Sequence, residues 1–143
     1  MKLSKKQIDE CIKSAWAFLD VAESVEKKGL DALLNAKISP LVVNAAFSAE
    51  LYLKAIIAIE SSDSEVPRGH ELEELFQRLS QQAQAKIESA FSKESGMALS
   101  DVIREANEAF VDWRYIYEDK VGLHPFELMK LCRALRGYVD EIR

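Results

Sequence analysis

Ser39-Pro-Leu-Val-Val-Asn-Ala-Ala-Phe-Ser-Ala-Glu50-Leu-Tyr-Leu-Lys54-Ala-Ile-Ile-Ala-Ile-Glu60 is the stretch that decides the fold. Ser39–Pro40 reads as an N-cap followed by proline at the first helical position, where a missing N–H costs nothing. From there to about Glu60, Leu41, Val42, Ala45, Ala46, Ala49, Leu53, Ile56 and Ile57 leave the helix apolar almost all round, which marks a central buried helix. The run is also apolar enough to raise a membrane question. Glu50 and Lys54 sit in its middle, where each charge would be costly in lipid. The expectation is the core helix of a soluble cytoplasmic bundle with no membrane partner.

Working outward, amphipathic helices flank this one on both sides. The first opens at Ser4, whose hydroxyl can cap while Gln7 reaches back in a capping box. Its stripe is Ile8, Cys11, Ile12, Ala15, Leu19, Ala22 and Val25, at spacings of three and four, and Gly29 stops it. The stretch 30–38 is short and fits either a helical turn or a packed loop. After a polar loop over 61–69, a third helix starts near His70. Glu71, Glu73 and Glu74 in its first turn suit the positive end of the helix dipole. Leu72, Leu75, Phe76, Leu79, Ala83 and Ile87 form its stripe, and it ends before Gly96. A fourth helix, capped by Ser100, carries Val102, Ile103, Ala106, Phe110, Trp113 and Tyr117 and ends at Gly122. Pro125 opens a fifth with Leu128, Leu131, Cys132, Leu135, Tyr138 and Ile142 inward. The short connections predict an all-α, antiparallel up-and-down bundle of four to five helices, one domain over 1–143.

Composition agrees. The chain has 143 residues, enough for one sizeable core. Its 5 glycines and 3 prolines leave little turn chemistry for hairpins. The net charge of −5 opposes a grip on nucleic acid through phosphates. No basic stripe appears; the cations of 101–143 are interspersed with more numerous acids. The N-terminus is basic, but no apolar segment follows it, so a secretory signal is not expected. Cys11 and Cys132 fall on apolar helix positions without metal-ligand spacing, so they read as reduced core thiols. No metal site and no cofactor are expected.

Three motifs carry a family resemblance. Asn44-Ala-Ala-Phe-Ser-Ala-Glu50-Leu-Tyr-Leu-Lys54 resembles the HEPN pattern of an apolar helix bearing Glu and, one turn later, Lys. Gly69-His70-Glu-Leu-Glu-Glu-Leu75 resembles the "GHxLxxL" opening of that family's third helix. Phe110-Val-Asp-Trp-Arg114-Tyr115-Ile-Tyr117-Glu118 looks like the "F…RYxYE" signature of a subset of the family. The matching segments stand in the family's order and cover roughly residues 5–140. The resemblance implies a four- or five-helix bundle that homodimerises, with a nucleotidyltransferase-type partner in some systems. Many members are metal-independent ribonucleases, often toxins of toxin–antitoxin or phage-defence systems.

Catalytic HEPN members place histidine after four to six intervening residues beyond the arginine. Here Asp119, Lys120 and Val121 stand at those positions after Arg114. His124 comes later, and His70 follows Arg68 at the wrong spacing. The imidazole that general acid–base cleavage needs is therefore missing from its usual place. The leading expectation is a non-catalytic, dimeric interaction or small-ligand- or nucleotide-binding module. Its polar cluster would comprise Glu50, Lys54, His70 and Arg114. A carboxylate on so apolar a helix needs a partner; Lys54 lies one turn on, and Arg114 is expected to lock Glu50 from the fourth helix. The alternative is a divergent ribonuclease in which Arg114 binds phosphate and Tyr117, Glu118 or His124 replaces the missing histidine. RNA as partner is then implied, against the net charge. Tyr115 and Trp16 or Phe18 are candidate interface aromatics.

Overall fold

The structure, a computed structural model, describes residues 1–29, 38–61, 65–111 and 124–143. Six helices form there: α1 (Lys5–Lys27), α2 (Ile38–Glu60), α3 (Leu72–Gln77), α4 (Gln81–Glu94), α5 (Leu99–Val111) and α6 (Pro125–Ile142). The described residues contain no strand beyond an isolated bridge between Lys2 and Glu65.

Local chemistry sets most helix ends. Ser4 Oγ accepts from the Gln7 N–H at 3.1 Å, and the Gln7 side chain accepts from the Ser4 N–H at 2.8 Å, closing the expected capping box. Lys28 caps the other end of α1, and Gly29 follows at φ +82°, a conformation that glycine adopts without a Cβ penalty. α6 has Pro125 in its first turn and His124 as N-cap. α2 and α5 begin at Ile38 and Leu99, slightly earlier than Ser39 and Ser100 suggest. That displacement is within the ordinary fraying of helix boundaries.

One expectation is corrected. The helix read as continuous from His70 to before Gly96 is two helices, broken at Arg78–Ser80. Ser80 takes an extended backbone (φ −60°, ψ 156°) and its Oγ accepts from the Ala83 N–H at 3.1 Å, so it caps α4. The Ser80 N–H and Oγ–H both donate to the Glu60 carboxylate at the end of α2. The core stripe survives the break because Leu79 at the corner is itself buried.

α2 is the central element, packing against α1, α3, α5 and α6, with α1 its most extensive neighbour. Leu41, Val42, Ala45, Ala46, Ala49, Leu53, Ile56 and Ile57 are all buried. All but Ala46 belong to a contiguous core with Leu19, Leu75, Ile87, Phe91, Val102 and Leu135. Each buried Val, Leu, Ile or Phe side chain among them contributes about 1.5–3 kcal/mol of transfer free energy. The segment Pro40–Glu60 is long and apolar enough to cross a membrane by composition, yet 67% of its most apolar 18-residue window is buried within the fold. Polar threads stitch its small-residue faces. Ser48 Oγ–H donates to Ala15 O at 2.7 Å, and the Cys132 thiol donates to Ala45 O at 3.1 Å. Both cysteines are free thiols.

Candidate functional site

Glu50 is the only buried carboxylate among the described residues. Helical spacing puts Lys54 one turn further along α2, and its Nζ donates to Glu50 Oε2 at 3.3 Å. The second partner comes from outside the helix. His70, on the loop leading into α3, sets its Nδ1 3.2 Å from Oε1 and 3.1 Å from Oε2 of Glu50. The carboxylate only accepts, so the shared proton belongs on Nδ1, and in the neutral ring Nε2 carries the lone pair. The Glu50 and Lys54 side chains are 9% and 12% exposed, whereas His70 is 67% exposed. A dry carboxylate thus holds one edge of an imidazole whose other edge meets solvent. Such an arrangement fixes tautomer and ring orientation, leaving Nε2 able to accept a proton or a hydrogen bond.

Two further groups border the cluster. The Cys11 thiol donates to Leu51 O at 3.2 Å. Burial pushes its pKa up to about 11, opposed by the Lys54 ammonium and assisted by the Glu50 carboxylate. A thiol held protonated in this way is a poor nucleophile. Asn107 of α5 reaches back to α3, its Oδ1 accepting from the Leu72 N–H at 2.9 Å. Neither role is visible in local sequence, because both bonds join residues far apart along the chain.

The structure therefore brings together three of the four residues expected in the polar cluster: Glu50, Lys54 and His70. Arg114, with Tyr115, Tyr117 and Glu118, lies outside the described residues, as does the expected Glu50–Arg114 pair. His124 is placed elsewhere, at the start of α6, with Nδ1 2.9 Å from both oxygens of Glu105 on α5. That partnership was also missed by sequence reasoning. A small crevice between them is lined by Val42, Val102, Ala106 and Leu128. Val42 lies eight residues before Glu50, about 12 Å along the α2 axis.

The remaining charge clusters tie helices together. Arg133 of α6 bonds Glu23 at 3.2 Å and also Glu26, and Arg136 reaches Glu23 at 3.3 Å, clamping α6 to α1. Ser95 and Lys130 both donate to Glu127, and the Ser95 hydrogen bond holds the Glu127 carboxyl below its ordinary value. Trp16 is exposed on α1, while Phe18 stacks on Phe47 with ring centroids 5.2 Å apart. Among the described residues no group of three or more histidine, cysteine, aspartate or glutamate side chains could hold a metal ion.

No family model, curated protein or solved structure matches this chain.

Proposed function

We propose that this chain is a HEPN-like antiparallel bundle, a single cytoplasmic domain acting as a non-catalytic, dimeric interaction or small-ligand-binding module. The observation that carries the reading is the Glu50–Lys54–His70 cluster. Its buried carboxylate is neutralised by the Lys54 ammonium and hydrogen-bonded by His70, which turns an imidazole edge to solvent. Such a group can accept a hydrogen bond from a small polar ligand or bind a phosphate when protonated. The net charge of −5 weighs against an extended RNA track, and Asp119, Lys120 and Val121 stand where the histidine after Arg114 would be needed. A nucleotidyltransferase-type protein, within a toxin–antitoxin or phage-defence pair, is the partner the family resemblance suggests.

Titration of the protein with ATP, followed by the ring resonances of His70, tests ligand binding; sedimentation velocity tests the dimer. The reading expects a saturable shift at His70, abolished in His70→Ala, and a dimeric species. A monomer whose His70 resonances ignore ATP contradicts both halves of it.

A second reading, a metal-independent ribonuclease, draws support from His124. Its imidazole is oriented by Glu105 and 46% exposed, as a general base needs to be. There Arg114 would hold the phosphate, with Tyr117 or Glu118 assisting. RNA cleavage in EDTA that is lost in both Arg114→Ala and His124→Ala would establish it.

A further inference from the structure

α3 starts without a local cap. Its N-cap residue, Glu71, makes no side-chain capping bond, although the first N–H groups of a helix need acceptors. The Leu72 N–H instead finds Asn107 Oδ1 at 2.9 Å, contributed by α5 from 35 positions along the chain. Leu72 is itself buried in the core at 2% exposure. Two residues earlier, His70 is held from the other side by Glu50 of α2. The short run from His70 to Leu72 is thus suspended between two helices, with α2 gripping the imidazole and α5 gripping the backbone.

We infer that Asn107 is a positioning residue that fixes the entry into α3, so that His70 meets Glu50 through Nδ1 and presents Nε2 outward. The inference rests on the binding role proposed for the Glu50–Lys54–His70 cluster. The geometry gives Asn107 this role for two reasons. The Glu50–His70 bond alone leaves a mostly exposed side chain free to swing on a loop, and the nearest backbone bond beyond it that reaches another helix is the one from Leu72 to Asn107. Without an acceptor there, the Leu72 N–H is left unpaired next to a buried side chain, and the run relaxes to find water. The His70 ring then loses its register with Glu50.

The test reads the His70 tautomer by long-range proton–nitrogen NMR, above the pH at which the ring protonates. In the unaltered protein His70 is expected as the Nδ1–H form, and the Leu72 amide is expected to exchange slowly with solvent. Asn107→Leu should lose the Nδ1–H form to the mixture of a free imidazole, whereas Asn107→Asp, which keeps an acceptor oxygen, should retain it. A His70 that is Nε2–H in the unaltered protein overturns the cluster and the positioning role together. An Nδ1–H His70 that persists in Asn107→Leu overturns the positioning role alone. Rapid exchange of the Leu72 amide in the unaltered protein does so as well, even if Asn107→Leu does not fold.

Discussion

His70 and His124 each present Nδ1 to both oxygens of a glutamate, Glu50 for the first and Glu105 for the second. The surroundings differ. Glu50 is drawn from the most apolar helix of the fold, is 9% exposed and shares its charge with Lys54. Glu105 is 26% exposed. The same bond therefore carries different weight. A carboxylate removed from water depends on its partners, because an uncompensated buried charge is expensive. A carboxylate near water can exchange a histidine for solvent at little cost. The dry pair is built to be held still, and the wetter pair is free to change partner.

The largest expected effect lies at Lys54. Lys54→Met keeps the aliphatic stem and removes the ammonium, which should destabilise the fold by roughly 3 kcal/mol, the low end of the range for breaking a buried pair. Replacing both members, Glu50→Met with Lys54→Met, should recover much of that loss, because no charge is then left buried. Urea unfolding of the single and double variants checks this, and equal losses in the two would break the contrast.

Alkaline pH should also weaken the dry region. Burial raises the folded-state pKa of Cys11 to about 11 and of Cys132 to about 12. The folded state therefore holds these protons more tightly than the unfolded chain does. Their contribution is fully present below about pH 9, the ordinary thiol value, and is lost as pH rises toward the folded values. Stability measured by urea unfolding should fall from pH 9 toward pH 11, less steeply in Cys132→Ala. An unchanged slope would remove the thiols from the account.

Removing the Asn107 acceptor should cost on the order of 1 kcal/mol, the usual contribution of a capping-type hydrogen bond. Thermal unfolding of Asn107→Leu against Asn107→Asp separates the lost bond from the altered shape. The smallest effect is expected at the wetter pair: Glu105→Gln should change stability by about 0–1 kcal/mol. A loss as large as that of Lys54→Met would show that Glu105 is as dependent on its partners as Glu50.

How much of this was legible in the sequence follows from the range of each interaction. The Ser4–Gln7 capping box, the proline in the first turn of α6 and the apolar circumference of α2 are properties of a few neighbouring residues, and periodicity exposes them. The break between α3 and α4 turns on Glu60 binding Ser80 across 20 positions. A serine in a helical pattern gives only a weak local hint of it. That Glu50 needs partners follows from the apolar helix around it, and Lys54 follows from its spacing on that helix. The motif places His70 at the start of α3, and its bond to Glu50 becomes visible only once the loop folds back on α2. Asn107 and Glu105 carried no signal at all, since neither residue type nor spacing marks an acceptor for a distant donor. The arginine clamp from α6 to α1 escaped for the same reason.

The central claim is that the chain binds through its polar cluster and does not cut RNA. Incubation of the purified protein with a mixed RNA in EDTA tests it most directly, with Arg114→Ala and His124→Ala alongside. The account predicts intact RNA from a folded protein. Cleavage that both substitutions abolish would contradict it and make Arg114 and His124 parts of an active site.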